Sequence, residues 1–306
     1  MSFTAKDVAT LRAKTGCGMM DCKKALTEAN GDMEKASEIL REKGLAASVK
    51  KASRIAAEGI AYAAVSECGK VGVVIEVNAE TDFVAKNASF VEFVKTCADT
   101  VIYENPADVE ALLACKAHGS DMTVDEMLKD KILTIGENMK IRRFARYEGN
   151  CVAYVHGGGR IGVLVRVDAE NVASEVITET GKAVAMQIAA MNPSYLDKTT
   201  VPAEALEKEK EILMAQIQND PKNAKKPQNI IEKMVVGRIG KFYENNCLMQ
   251  QAFVKDGNFS VEQYVAEEAK KAGGTMKIAE FVRFEKGEGL EKRNDDFASE
   301  VAAMVK

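Results

Sequence analysis

The segment GKVGVVIEVNAE, residues 69–80, recurs ninety positions later as GRIGVLVRVDAE, residues 159–170. Both copies are rich in β-branched residues and nearly free of polar interruptions, which favours a central strand. The first copy continues into TDFVAKN, residues 81–87, whereas the second continues into NVAS, residues 171–174. Duplication accounts for a shared scaffold. The pair Asp82-Phe83 follows only one copy, so it needs an explanation of its own.

The residues around each copy predict the same order of elements, which is strand, strand and helix. Predicted strands cover residues 57–65, 70–77, 139–148, 152–155 and 160–167. The helix after each repeat is expected to stop at an Asn-Pro pair, Asn105-Pro106 and Asn192-Pro193. A capping box beginning at Thr123 opens another helix before the strand at 139–148. Together these patterns predict an α+β fold whose core is two duplicated β-β-α subdomains with antiparallel sheets.

Residues 4–44 predict three short helices. The first begins at the capping box Thr4-Ala5-Lys6-Asp7, the second covers 19–29, and the third runs from Met33 to Lys43 and ends at Gly44, which we interpret as its C-cap residue. So small a module has a marginal core, which is typical of a docking element. We assign residues 1–54 to this module and its linker, called the head below; it resembles the three-helix ubiquitin-associated (UBA) domain.

From Pro202 onward the sequence predicts two helices interrupted by Asp220-Pro221 and Pro227. They indicate an antiparallel helical hairpin, and a further strand at 275–285 places it as an insertion within the second sheet. The predicted units are the first subdomain at 55–148, the second subdomain at 149–194 and 241–286, the hairpin at 195–240, and a C-terminal helical module at 287–306.

Composition excludes several classes of protein. The chain has 306 residues, of which 46% are hydrophobic and 29% charged, as in a globular protein of two or three domains. No apolar run approaches the roughly 20 residues that cross a bilayer, and the first residues lack a signal-peptide core. We therefore expect a cytoplasmic protein without a membrane partner.

Cysteine and histidine usage argues against disulfide and metal chemistry. The seven cysteines contain no Cys-x-x-Cys pair, and the two histidines, His118 and His156, lie far apart in the sequence. A disulfide framework, a zinc ribbon and a His-rich metal site are all disfavoured. We expect no cofactor and no metal.

Charge is distributed unevenly. Residues 1–54 contain 11 Lys and Arg against 7 Asp and Glu, so the head is mildly basic while the whole chain has a net charge of -4. Binding to nucleic acid requires a denser basic patch. The best candidate, residues 50–54, is better explained as a solvated linker, and we expect no direct contact with nucleic acid.

No catalytic constellation is recognisable. The sequence lacks a phosphate loop, a nucleophile elbow and a His-Glu-x-x-His helix. The glycines at 157–159 precede a strand, so they fit a hairpin turn better than an anion-binding loop. Glu80 and Asp82 are the one close carboxylate pair after a strand end, which makes an acid-base enzyme a weak alternative.

Two interpretations of Asp82 and Phe83 stay open at this point. In the first interpretation, Thr81 or Asp82 caps the following helix while Phe83 packs inward. Alternatively, a capping box beginning at Ser89 starts the main helix later and leaves residues 81–87 as a turn near the strand end, with Phe83 exposed. Exposed aromatic residues are frequent anchors of protein interfaces.

Two long motifs resemble those of the translation elongation factor Ts family, whose members are guanine-nucleotide exchange factors for bacterial elongation factor Tu. The first runs from Leu11-Arg12 through TGCGMMDCKKAL, residues 15–26, to Gly31-Asp32, and the second is EVNAETDFVA, residues 76–85. The similarity covers essentially the whole chain. Cys17, where the family more often has alanine, is a departure that is conservative in size.

The resemblance implies a binding site for elongation factor Tu. A segment comprising Thr81, Asp82, Phe83 and Val84 would enter the partner beside its nucleotide, with Phe83 as a wedge, and disturb the magnesium site so that GDP leaves and GTP enters. The further contacts that the resemblance implies are Arg12, Met19, Met20, Ile135, Gly136 and His156.

Alternatives remain for part of this set. Burial in the core of the head is an equal alternative for Met19 and Met20, and an exposed turn without a partner is an equal alternative for His156. The hairpin is associated with dimerisation in some members of the family; the sequence leaves open whether this chain forms a homodimer. The alternative function is a UBA-like adaptor without exchange activity. Residues 81–87 are the feature that distinguishes an exchange factor from such an adaptor.

Overall fold

The computed structural model describes residues 3–15, 17–220 and 226–291, and it confirms the α+β fold. Residues 292–306 of the C-terminal helical module predicted at 287–306 lie outside the described residues, as does most of the turn predicted between the hairpin helices. Within the described part of the chain, none of the helices is both long and apolar enough to cross a membrane.

Three helices form the head: α1 (Ala5–Thr15), α2 (Met19–Glu28) and α3 (Met33–Lys51). The predicted capping box is present, because the backbone N–H of Thr4 donates to Asp7 Oδ2 (2.7 Å) and that of Asp7 donates to Thr4 Oγ1 (3.3 Å). Apolar side chains from all three helices form a separate small core that includes Val8, Leu11, Cys22, Leu26 and Leu40.

The predicted end of the third helix at Gly44 is wrong, since α3 continues to Lys51. Gly44 is buried where α3 passes α7 (Val124–Ile135). A Cβ atom on Gly44 would lie 3.6 Å from both Leu133 Cδ2 and the carbonyl oxygen of Lys129. The glycine therefore lies inside α3, where this helix packs against α7 at van der Waals distance, instead of at a helix end.

The first repeat forms a three-stranded antiparallel sheet of order β1-β2-β3, with bounds β1 Glu58–Val65, β2 Val71–Ala79 and β3 Met139–Glu148. Helices α4 (Asp82–Ala85), α5 (Ala88–Glu104), α6 (Val109–Ala114) and α7 accompany it. The core between sheet and helices includes Ile75, Phe90, Phe93, Val101 and Leu112.

The start of α5 differs from the prediction. Its N-cap residue is Asn87, whose Oδ1 accepts hydrogen bonds from the backbone N–H groups of Ser89 (2.9 Å) and Phe90 (3.4 Å). The capping box predicted at Ser89 is therefore wrong, because Asn87 is an equally good N-cap residue and stands two positions earlier. The short helix α6, in a stretch that matched no motif, was not predicted.

The second repeat forms another antiparallel sheet, of order β4-β5-β8, with bounds β4 Asn150–His156, β5 Ile161–Glu170 and β8 Thr275–Glu285. Helix α8 (Ser174–Met191) packs on it. The chain between α8 and β8 contains the hairpin helices α9 (Ala203–Asn219) and α10 (Gln228–Asn246). Because β8 pairs with β5, the hairpin is inserted between two strands of one sheet, as predicted.

A small unit that was not predicted follows the hairpin. It consists of the 3₁₀ turn Leu248–Gln250, the strands β6 (Ala252–Phe253) and β7 (Asp256–Ser260), and helix α11 (Val261–Lys271). Leu248, Phe253, Val261 and Val265 join the core of the second repeat.

The two repeats share their helix ends and pack together through their sheets. Asn105 (φ 49°) and Asn192 (φ 45°) are both left-handed C-cap residues, which confirms the predicted stops of α5 and α8. The layer between the sheets has a buried core of small, branched and aromatic side chains, namely Ala61, Ala63, Val74, Cys151, Leu164 and Phe284. Duplication therefore builds two sheets that bury their inner faces against each other.

Candidate partner-binding site

Phe83 lies on the one-turn helix α4, directly after the end of β2. Its side chain is 80% exposed, the largest exposed fraction of the bulky hydrophobic residues described. The interpretation in which Phe83 packs inward is therefore wrong. A phenyl ring exposed to this extent does not contribute to the core of this chain.

Neighbouring residues anchor the turn that presents this ring. Val84 is only 5% exposed and belongs to the core of the first repeat. Asp82 is exposed and accepts a hydrogen bond from Lys86 (2.9 Å), which lowers the pKa of its carboxyl. The Lys86 Nζ atom also lies 6.0 Å from the centre of the Phe83 ring. Of the four residues 81–84, Val84 thus holds the turn in place while Asp82 and Phe83 face outward.

Thr81 connects this turn to the loop between α7 and β3. Its backbone N–H donates to Glu137 Oε2 (3.0 Å) and its hydroxyl donates to Glu137 Oε1 (2.7 Å). One step earlier in the chain, Glu80 Oε1 accepts from the backbone N–H of Asn138 (2.6 Å) and from Arg54 Nη1 (3.3 Å). The side chain of Asn138 donates in turn to the carbonyl oxygen of Arg54 (2.8 Å). The strand end is thereby fixed to two other parts of the chain.

Ile135 and Gly136 therefore lie next to the 81–84 segment. Ile135 is the last residue of α7 and is half-buried, and Gly136 is its exposed left-handed C-cap residue (φ 91°). Since Glu137 follows immediately and bonds Thr81, the structure brings together two groups of candidate residues that lie far apart in sequence.

The head contributes Arg12, Met19 and Met20, all of which are exposed. Met19 is 54% exposed and Met20 63%, so the interpretation that places them in the core of the head is wrong. An open cleft of about 620 Å³ separates the head from the body, and it is lined by Lys14, Thr15, Asn87, Ser89, Asp130, Lys131, Thr134 and Ile135. Ile135 in this lining stands two residues before Glu137, the partner of Thr81, and Asn87 stands three residues after Val84.

His156 belongs to a different part of the molecule. It is the exposed last residue of β4, and its Nδ1 atom lies 3.0 Å from the hydroxyl of Tyr154. The glycine turn that follows packs against β1, where the backbone N–H of Ala61 donates to the carbonyl oxygen of Gly159 (2.8 Å). Any molecule that contacts both Phe83 and His156 has to reach across both repeats.

The residues that fix the site could not be found from the sequence. Glu137 and Asn138 lie 56 and 58 positions from their partners Thr81 and Glu80, and no motif links them. The one local signal is the left-handed Gly136, which ends α7 and determines where the following carboxylate is placed. No group of three or more His, Cys, Asp or Glu side chains among the described residues could hold a metal ion.

Comparison with known proteins agrees with the motifs. The family model described as Elongation factor TS matches residues 80–288, a range that begins at the strand end just described. The chain belongs to the elongation factor Ts family. It is thus a factor of translation elongation.

Three relatives in this family match over almost their whole length, and each is named Elongation factor Ts. The protein of Clostridium perfringens (strain SM101 / Type A) is 53% identical over 305 residues, covering 99% of both chains. The protein of Clostridium kluyveri is 50% identical over 307 residues, again covering 99% of each chain. The protein of Syntrophotalea carbinolica is 48% identical over 309 residues, covering 100% of each. The similarity to elongation factors Ts therefore includes the head as well as the two repeats.

Proposed function

We propose that this chain is a guanine-nucleotide exchange factor that binds elongation factor Tu in its GDP form, displaces the magnesium ion and promotes release of GDP so that GTP can bind. Exchange takes place by protein binding in the cytoplasm, and the chain itself forms no covalent intermediate. The observation that carries the proposal is the 80% exposure of Phe83 on a turn anchored by Val84 and Thr81.

The physical mechanism follows from the charge of the nucleotide site in the partner. A divalent cation that bridges phosphate oxygens is the largest local charge there, so its displacement weakens the hold on the whole nucleotide. Inserting a rigid aromatic side chain next to that site stabilises an open partner that binds GDP poorly. By linkage, whatever binds the open state more tightly than the GDP-bound state must lower the affinity for GDP by the same factor.

The remaining candidate residues would supply binding energy for the open partner. Arg12, Met19 and Met20 on the head and Gly136 after α7 are exposed, and Ile135 is half-buried at the cleft between the head and the body. They would contact the same domain of elongation factor Tu that Phe83 enters. His156, on the second repeat, would meet another domain of the partner.

Release of fluorescent GDP from elongation factor Tu, followed by stopped flow with and without this protein, tests the proposal. Wild-type protein is expected to accelerate release, and Phe83→Ala is expected to slow the stimulated rate more than tenfold, or about 1.4 kcal/mol, as for an interface anchor. Phe259→Ala removes the same side chain from β7, where Phe259 is 39% exposed, and serves as the matched control.

The outcomes separate the candidate functions. An unchanged rate of GDP release in the presence of wild-type protein would contradict the proposal. Binding to elongation factor Tu without faster GDP release would favour the adaptor. If Phe83→Ala and Phe259→Ala lost activity equally, the wedge would not lie at Phe83.

A further inference from the structure

Thr81 occupies the N-cap position of α4 but does not cap it. Its backbone has the extended conformation of an N-cap residue (φ -128°, ψ 157°), yet its side chain makes no capping hydrogen bond. The hydroxyl donates to Glu137 Oε1 at 2.7 Å instead. A helix of four residues without a side-chain cap has little stability of its own, so its position depends on contacts from outside.

Glu137 supplies those contacts through hydrogen bonds. Together with the bond between Glu80 and Asn138 they form a reciprocal set, which we call the clasp (Glu80, Thr81, Glu137 and Asn138). The carboxylate of Glu137 accepts from the backbone N–H of Thr81, and the carboxylate of Glu80 accepts from the backbone N–H of Asn138. Each acidic residue thus binds the residue that follows the other one. Hydrogen bonds from backbone N–H groups to ionised acceptors are short and about twice as strong as neutral ones.

Helix α7, which ends two residues before Glu137, also packs against the head. Leu133 of α7 packs against the core of the head, and Lys51 donates to the carbonyl oxygen of Ile132 (3.1 Å). At the other end of α7, Glu126 pairs with Arg41 of α3. One helix therefore determines where the exposed methionines of the head and the exposed Phe83 lie relative to each other.

We propose that Glu137 is the positioning residue of the exchange reaction: through Thr81 it fixes the direction in which Phe83 projects relative to the surface that docks on the partner. The inference rests on the proposed exchange function. Misplacement of a reacting or inserted group by about 1 Å costs up to 100-fold in rate. Loosening of the clasp should therefore reduce the rate of exchange in the bound complex more than it reduces binding.

A competing explanation for the role of Glu137 is that its negative charge attracts or displaces a cation of the partner. The two explanations predict different behaviour for Glu137→Gln. The amide oxygen of glutamine can accept from the Thr81 N–H while its NH₂ group donates to the Thr81 hydroxyl, so both bonds between residues 81 and 137 persist without the charge. A charge effect would be lost in this variant.

The experiment measures stimulated GDP release from elongation factor Tu over a range of concentrations of this protein, which separates the maximal rate from the half-saturating concentration. Glu137→Ala is expected to lower the maximal rate between about 10- and 100-fold with a change of less than about threefold in half-saturation. Glu137→Gln is expected to recover most of that loss. Glu170→Ala, at the exposed position of the second repeat equivalent to Glu80, is the control for removal of a surface carboxylate.

A double variant tests whether Glu137 acts through Phe83. Phe83→Ala combined with Glu137→Ala should be no slower than Phe83→Ala alone, because a misdirected ring and an absent ring lose the same interaction. Circular dichroism and thermal unfolding of each variant show whether the fold is retained.

Several results would overturn the inference. Equal loss in Glu137→Gln and Glu137→Ala would assign the role to charge, and additive losses in the double variant would separate Glu137 from the wedge. A rise in half-saturation alone would make Glu137 a simple binding residue. If wild-type protein accelerates release and Phe83→Ala does not, while Glu137→Ala behaves as wild type, this inference fails and the exchange function stands.

Discussion

Gly72 of β2 lies directly against Leu164 of β5: a Cβ atom on Gly72 would be 2.5 Å from Leu164 Cδ1 and 2.7 Å from Cys151 Cβ. The equivalent glycine of the second repeat, Gly162, lies against Val74, the equivalent of Leu164, with 3.0 Å between its added Cβ atom and Val74 Cγ2. Each duplicated strand therefore presents a glycine to the branched side chain of the other. This reciprocity explains why both copies have a glycine at the second position of a buried strand.

Replacement of Gly72 by alanine should destabilise the protein. The added methyl group has no room between the sheets, so neighbouring side chains must move, and overpacking of this kind costs about 1–3 kcal/mol. Thermal unfolding by calorimetry measures the effect. Gly237→Ala is the control, since nothing lies within 4 Å of that added Cβ atom in α10, and alanine is favoured over glycine in a helix by up to ~1 kcal/mol. Equal melting temperatures for Gly72→Ala and wild type would contradict the close packing.

A buried carboxylate distinguishes the first repeat from the second. Glu76 is fully buried and accepts hydrogen bonds from Arg143 Nε (2.6 Å), Arg142 Nη1 (3.0 Å) and the backbone N–H of Gly287 (2.7 Å). The equivalent residue of the second repeat is Arg166, whose partners Glu280 and Asp168 are exposed by 42% and 60%. The same strand position is thus a buried ionic junction in one copy and a surface ion pair in the other.

We expect Glu76→Ala to lower the free energy of unfolding by about 3–5 kcal/mol, because the partly buried Arg142 loses its paired carboxylate and Arg143 keeps only its pair with Glu288. Arg166→Ala should cost less than about 1 kcal/mol, since its pairs are screened by solvent. Urea unfolding of both variants gives the comparison. Losses of similar size would show that burial does not determine the contribution of these charges.

Glu80 offers a second matched comparison between the repeats. Its carboxylate accepts the backbone N–H of Asn138, a residue that is 8% exposed, so Glu80→Ala leaves a buried donor unsatisfied at a cost of about 1–3 kcal/mol. Glu170, the equivalent residue, is exposed, and Glu170→Ala should stay within about 0.5 kcal/mol of wild type.

Hydrogen exchange checks this prediction at the atom concerned. The amide proton of Asn138 should exchange faster in Glu80→Ala than in wild type, and it should be unaffected in Glu170→Ala. Unchanged protection in both variants would mean that the bond from Asn138 to Glu80 does not form in solution.

Local signals predicted much of the fold because the deciding interactions lie within a few residues. The β-branched runs of β2 and β5, the capping box at Thr123 and the Asn-Pro stops of α5 and α8 are all of this kind. Gly44 shows where this reasoning fails, since α3 continues past the glycine and packs against Leu133 there. The candidate site is a mixture of both cases. Its motif identified Phe83. The Thr81–Glu137 bond joins residues far apart in the sequence, and no sequence pattern predicts it.

Asp130 of α7 allows a prediction on the pH dependence of stability. Burial raises the pKa of its carboxyl above the ordinary value of 3.8, with Lys131 opposing the shift. A raised pKa means that the native state binds the proton more tightly than the unfolded chain does. The stability contributed by the protonated group is therefore fully present below pH 3.8 and is lost as the pH rises through the raised pKa.

Asparagine removes the ionisation, so Asp130→Asn should melt higher than wild type at pH 7, by about 1 °C, and the difference should vanish near about pH 3. Asp82→Asn provides the opposite case, since the hydrogen bond from Lys86 lowers the pKa of Asp82. The stability from that group is present above pH 3.8 and is lost as the pH falls, so Asp82→Asn should melt slightly lower than wild type at pH 7. Melting curves between about pH 3 and 8 test both signs together. A lower melting temperature of Asp130→Asn at pH 7 would show that the carboxylate makes a favourable contact that outweighs its desolvation.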